Sequence, residues 1–232
     1  MRDLKEELKL FFRQQGELFF DEFYLEKSET LPPALMEQLS AEPSNMDLSF
    51  EELQDRIITC EKCPLSQTRT KAVPGYGNRQ AELMFIGEAP GQQEDLQGLP
   101  FVGRAGQLLD KILAAIDLKR EQVFIANILK CRPPNNRTPH ADEIAQCEPY
   151  LVRQIELIRP KLIICLGLTA AKTLLRVEYS LGQMRGEIYS YHGVDLIVTY
   201  HPAALLRNPN LKRDTWEDFK KIQKLYLEKA RS

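Results

Sequence analysis

The chain has 232 residues, 43% hydrophobic and 28% charged, with a formal net charge of −2. That length and apolar content suit one globular domain with an extension, and exclude an intrinsically disordered chain. With no apolar run of about 18 residues, no secretory signal and an odd count of five cysteines, a membrane-spanning helix and a fully paired disulfide framework are excluded too; a cytoplasmic protein of a reducing compartment is expected.

Residues 1–50 carry 11 Asp/Glu against 5 Lys/Arg, so an acidic N-terminus precedes a mildly basic body. Residues 3–25 space Leu4, Leu8, Phe11, Phe12, Leu18, Phe19 and Phe23 as on an amphipathic helix interrupted at Gly16. Residues 26–48, rich in Pro, Ser and Glu, read as a linker. Residues 1–48 are therefore expected to form an arm that packs back on the body or docks a protein partner, and residues 49–232 the main domain.

Ser49-x-x-Glu52 is a capping box opening a helix through Ile58. From there strands and helices alternate: strand Leu83–Ile86, helix Gly106–Ile116, strand Val123–Ala126, helix Ala141–Ile158, strand Leu162–Leu166 and helix Ala170–Leu175. Glu187–Tyr191 and Leu196–Thr199 read as a hairpin about His192-Gly193, before a last helix from about Asp214. This order predicts an α/β fold, a three-layer αβα sandwich with a mainly parallel central sheet. Residues 207–232 hold 8 Lys/Arg against 4 Asp/Glu, which permits polyanion binding and equally describes a solvated helix face.

Cys60 and Cys63 form a C-x-x-C pair, with Cys131 and Cys147 far along the chain. Four thiolates suit a structural zinc or an iron–sulfur cluster. Because distant segments supply them, a metal there would staple a domain rather than build a small finger. Cys165, inside the apolar run Leu162–Leu166, reads as a buried hydrophobe.

Ligands of such sheets bind at the carboxyl ends of the strands. Those ends carry Gly87-Glu88-Ala89-Pro90-Gly91, then Asn127 with Lys130-Cys131-Arg132-Pro133, then His201-Pro202 leading to Leu205-Leu206-Arg207. A carboxylate, an amide and an imidazole thus meet at one mouth. The Gly-rich segment Gly98–Gly106 has backbone N–H groups that could meet phosphate, or is a plain loop.

These segments, with Pro100-Phe101-Val102-Gly103 and the four cysteines, resemble the family 4 uracil-DNA glycosylases over about residues 50–225. The resemblance implies a DNA-repair hydrolase that flips uracil out of DNA and cuts its N-glycosidic bond, leaving an abasic site for base excision repair. It implies a 4Fe–4S cluster on Cys60, Cys63, Cys131 and Cys147, with uracil-containing DNA as partner and a monomeric chain. His201 would donate to uracil O2 as charge develops there. Asn127 would read the N3/O4 edge. Phe101 would stack on the base, with Gly87 and Ala89 joining the substrate-binding set. Glu88 would polarise the attacking water and favour the cationic sugar. Leu205 and Leu206 would wedge into the stack and Arg207 meet phosphate. Family 5 relatives have an apolar residue where Glu88 stands. The rival from another class is a non-catalytic iron–sulfur nucleic-acid-binding module associated with a DNA polymerase.

Overall fold

The structure is a computed structural model that describes residues 48–231. The expectations for an N-terminal arm lie outside the described residues.

The first helix, α1 (Phe50–Thr59), begins at the expected capping box. Glu52 N–H donates to the Ser49 hydroxyl at 3.3 Å, and Ser49 N–H donates to the Glu52 carboxylate at 2.8 Å. A one-turn helix α2 (Leu65–Thr68) follows the C-x-x-C pair, and a two-residue strand β1 (Tyr76–Gly77) precedes β2 (Leu83–Gly87). Next come α3 (Gln92–Gln97), α4 (Arg104–Ala114), β3 (Phe124–Asn127), α5 (Ala141–Ile158), β4 (Leu162–Leu166) and α6 (Leu168–Leu175). The chain closes with α7 (Leu181–Met184), β5 (Ile188–Tyr191), β6 (Val194–Thr199), α8 (Pro202–Arg207) and α9 (Leu211–Arg231). The β5–β6 hairpin turns at His192-Gly193, both with positive φ (47° and 78°), as a two-residue primed turn requires.

The strand order is β1-β3-β2-β4-β6-β5. The four inner strands are parallel, and the two edges pair antiparallel. Every residue of β2, β3 and β4 is buried, because helices cover both faces. Met84 and Ile86 pack with α5 and α6 on one face, through Leu151, Ile155 and Leu174. Leu83 and Phe85 pack with α4 and α9 on the other, through Leu109, Leu113, Phe219 and Ile222. Helices α5, α6, α4 and α9 thus form the outer layers of the expected αβα sandwich. A third cluster joins Leu53 and Ile57 of α1 to Leu65, Leu129, Cys131, Cys147 and Tyr150 beside the sheet.

Strand β2 pairs with β3 on one side and β4 on the other, so the chain reverses its winding direction at β2. The crevice at the carboxyl end of that switch point is where an open α/β sheet holds its ligand. Among the described residues, no helix is long and apolar enough to cross a membrane.

Candidate active site

Gly87 closes β2 with its Cα paired to that of Asn127, the last residue of β3. Two backbone bonds, Ile128 N–H to Gly87 O and Leu129 N–H to Glu88 O, both 3.0 Å, keep the two strand ends in step beyond the sheet. A Cβ on Gly87 would collide with Asn127 Oδ1 and come within 2.8 Å of Phe101 Cζ. Glycine is needed here for space: it lets an amide and an aromatic ring close over one strand end.

Asn127 is 2% exposed, and its Oδ1 has no hydrogen-bond partner among the described residues. Such a buried acceptor costs about 1–3 kcal/mol. Phe101 is buried beside it with φ 52°, a left-handed conformation uncommon for a bulky residue. Arg120 holds that conformation by donating to the Phe101 carbonyl at 2.9 Å and to the Pro100 carbonyl. A Cβ on Gly106 would collide with the Phe101 carbonyl oxygen, so the α4 helix can pack closely only with glycine there.

The Phe101 ring lies 5.3 Å from the His201 ring, tilted by 32°. His201 is the N-cap of α8, and its Nδ1 accepts the Ala203 N–H at 3.1 Å. Nδ1 is thereby committed as an acceptor, so the proton of the neutral ring sits on Nε2. Burial, with Arg207 nearby, holds the His201 pKa down to about 4, so the ring is neutral near pH 7. Gly167, at the end of β4 with φ 98°, passes so close that a Cβ would lie 3.0 Å from His201 Cβ.

Glu88 is half-buried, and burial raises its pKa above the usual 4.5, opposed by a hydrogen bond from Thr169 at the start of α6. The mouth therefore holds Gly87, Glu88, Phe101, Asn127 and His201. Ala89 is half-buried and packs against the cysteine-bearing cluster instead. Helix α8 separates the two leucines: Leu205 is 2% exposed and belongs to the core, while Leu206 is 41% exposed. Only Leu206 is available to wedge in this conformation. Arg207 beside it is exposed.

The Gly-rich loop differs from its sequence reading. Its Val102 and Gly103 N–H groups already donate to Glu94 Oε1, at 2.9 and 2.8 Å, so they are not free for phosphate. Glu94, Arg120 and Thr169 carried no motif. Only the fold, which brings each against a site segment, picks them out.

All four candidate ligand cysteines line one small cavity, with Arg69, Lys130 and Tyr150 in its wall. None is in a disulfide. Among the described residues, no three Cys, His, Asp or Glu close on a point as a single ion requires. Arg69 Nη1 donates to Cys131 Sγ at 3.0 Å, and Lys130 N–H to Cys147 Sγ at 3.2 Å. Burial pushes Cys147 up to about 12, with Lys130 pulling the other way, and raises Cys131 and Cys63 as well. Lys130 is 1% exposed, and burial lowers its pKa to about 8. A lysine between Leu129 and Cys131 was a readable signal of a polar demand inside an apolar run. Cys165 is fully buried in β4, away from the cavity.

The family profile of the uracil DNA glycosylase superfamily matches residues 74–220. The chain is 48% identical to a type-4 uracil-DNA glycosylase of Archaeoglobus fulgidus, over 76% of this chain and 93% of that relative. It is 50% identical to one from Sulfurisphaera tokodaii, over 77% of this chain and 86% of the relative. It is 43% identical to one from Thermotoga maritima, over 75% and 93%. The chain belongs to the type-4 uracil-DNA glycosylase family. The matched span of the superfamily profile runs from just before β1 into α9, so every strand-end loop of the glycosylase mouth lies inside it. Cys60, Cys63 and α1 precede that span. As a type-4 uracil-DNA glycosylase the chain is a DNA N-glycosylase, and the polymerase-associated binding module is not favoured.

Proposed function

We propose that this glycosylase excises uracil from DNA by flipping the nucleotide into the mouth beside Gly87 and hydrolysing its N-glycosidic bond. The observation that carries this reading is the buried, unpartnered Asn127 Oδ1 facing Gly87 and Phe101. That acceptor suits the N3–H of uracil, while the amide nitrogen suits O4. Cytosine, with a bare N3 and an amino group, presents the opposite pattern. Phe101 offers its ring to the base. His201, neutral with its proton on Nε2, donates to O2 as the departing base gains negative charge. Such a fixed donor acts most strongly where charge develops in a dry site. Glu88, as the carboxylate, accepts from the attacking water and favours the positive sugar. Leu206 takes the space the base has left, Leu205 anchors its helix, and Arg207 meets phosphate.

Cys60, Cys63, Cys131 and Cys147 would hold a 4Fe–4S cluster. In support stand four thiols that line one shared cavity, none of them in a disulfide, with the cationic residues Lys62, Arg69 and Lys130 in its wall. Such a cluster would supply structure, tying α1 to the loop beyond Asn127. Unpaired cysteines of this kind suit a reducing, cytoplasmic setting, and the working unit in this reading is a monomer. Residues 1–48 are assigned to an arm that is not part of the catalytic domain, residues 49–232.

The test is incubation of purified protein with a uracil-containing oligonucleotide without added metal. Release of free uracil and an alkali-labile strand are expected. A strand that stays alkali-resistant at high enzyme overturns the reading.

A further inference from the structure

The chain has one tryptophan, Trp216, and it stands 42% exposed on the second turn of α9. The core face of this helix is Thr215, Asp218, Phe219 and Ile222. Lys212 and Arg213 precede Trp216 by four and three residues, and Lys220 follows by four, so all four side chains share one stripe of the exposed surface. Lys220 is paired with Glu217 at 2.7 Å. Lys212 and Arg213 are exposed and make no ion pair among the described residues.

This stripe is anchored to the mouth. Arg185, just after α7, stacks over the ring of Tyr200, the residue before His201, at 4.7 Å. The same guanidinium donates to the Asp218 carboxylate at 2.8 and 3.0 Å and to the Asp214 carbonyl at 2.6 Å. Asp218 also accepts the Thr199 hydroxyl at 2.6 Å, at the end of β6. The first two turns of α9 are therefore fastened to the His201 loop. Only Asn208, Pro209 and Asn210 separate α9 from Leu206 and Arg207 on α8, in a turn closed by Leu211 N–H to Asn208 O at 3.2 Å.

We infer that the Lys212–Arg213–Trp216 stripe is a second DNA-contact surface, on which the strand flanking the flipped nucleotide is held. An unpartnered indole beside two unneutralised cations offers a stacking face and phosphate contacts together, the pairing that holds single-stranded nucleic acid without regard to sequence. The acidic residues nearby each have a partner, Asp214 and Asp218 sharing Arg185 and Glu217 pairing with Lys220, and Asp218 is buried away from the stripe. The inference goes beyond uracil excision but takes its choice of DNA from it.

Because Trp216 is the only tryptophan, its fluorescence reports on this surface alone. The experiment titrates the full chain with uracil-free single-stranded oligonucleotides, following both Trp216 emission and the anisotropy of a labelled oligonucleotide. Quenching that saturates together with the anisotropy is expected. Trp216→Leu should weaken binding roughly 5- to 150-fold, the range for loss of one stacked base. Lys212→Gln with Arg213→Gln should lower the salt dependence of log K by about 1.4, at about 0.7 per phosphate contact on single strands. Binding seen by anisotropy with emission unchanged overturns the inference. So does quenching that depends on protein concentration without DNA, which would make the stripe a contact between copies of the chain. Uracil release is assayed separately: loss of excision with the quenching retained would sink the catalytic reading and leave this surface standing.

Discussion

Lys130 Nζ donates to the backbone carbonyl of Asn127 at 2.8 Å from inside the wall of the cysteine cavity. Its second bond, to Gln154 Oε1 at 2.7 Å, continues through Gln154 Nε2 to the Pro74 carbonyl at 2.6 Å. Its own N–H meets Cys147 Sγ. One buried side chain thus connects Asn127 to the helix that carries Cys147. A hydrogen bond to a charged group contributes about 1.5–3 kcal/mol. Lys130→Met is expected to lower thermal stability by about that amount and to slow uracil excision about tenfold or more, read by thermal melting and single-turnover kinetics. Wild-type rates would show that Asn127 needs no such support.

Gly87→Ala tests the floor of the mouth. The added methyl meets Asn127 Oδ1 and Phe101 Cζ, and overpacking of this kind costs about 1–3 kcal/mol. The methyl also displaces the Asn127 amide and the Phe101 ring from their places over the strand end, so kcat/KM for uracil excision should drop at least about a hundredfold while the protein stays folded. An unaltered kcat/KM would place the base elsewhere.

The pH profile follows from two shifts of opposite sign. Glu88 is raised above 4.5 by burial, so the rise in excision with pH should come later than for an ordinary carboxylate, and Glu88→Gln should flatten it. His201 is held to about 4, so no inflection is expected near its ordinary 6.5. For stability, the unfolded chain binds the His201 proton more readily, so this residue contributes stability above pH 6.5 that fades as pH falls through about 4. Single-turnover rates and melting temperatures from pH 4 to 8 check both. A profile that Glu88→Gln leaves unchanged would remove Glu88 from the reaction.

His201→Ala should slow the chemical step by roughly 10²–10³-fold, the usual effect of losing one fixed transition-state donor. DNA affinity should change much less, since the bond strengthens only as the base gains charge. A comparable loss in binding and in rate would make His201 a ground-state contact.

The cysteines separate by role. Cys147→Ser and Cys131→Ser should lower soluble yield and abolish a broad absorbance near about 400 nm, the band expected of cysteine-bound iron–sulfur. Cys165→Ala removes a small buried side chain from β4 and should leave the absorbance intact, at a cost of about 1 kcal/mol in stability. Stoichiometric zinc without iron in the purified protein would overturn the cluster assignment.

The sequence by itself determined the architecture and the raw materials of the site. Leu83–Gly87 and Leu162–Leu166 are apolar throughout because both sheet faces are covered, and such runs are legible without coordinates. The strand ends then carry Glu88, Asn127 and His201 in register, and the cysteine spacing stands in the text of the chain. Short elements were not legible: α3 and α8 have six residues each, under two turns, too few for a helical period to show. Tertiary structure decided what each group is free to do. Ala203 selects the proton-bearing nitrogen of His201, and Glu94 consumes the N–H groups of the Gly-rich loop. The packing of α8 buries Leu205 and leaves Leu206 out. Lys130 reaches a carbonyl three residues back only because Gln154, on α5, closes over it. Patterns along the chain report local periodicity and burial, whereas the partner a polar atom finds depends on which distant segment folding lays against it.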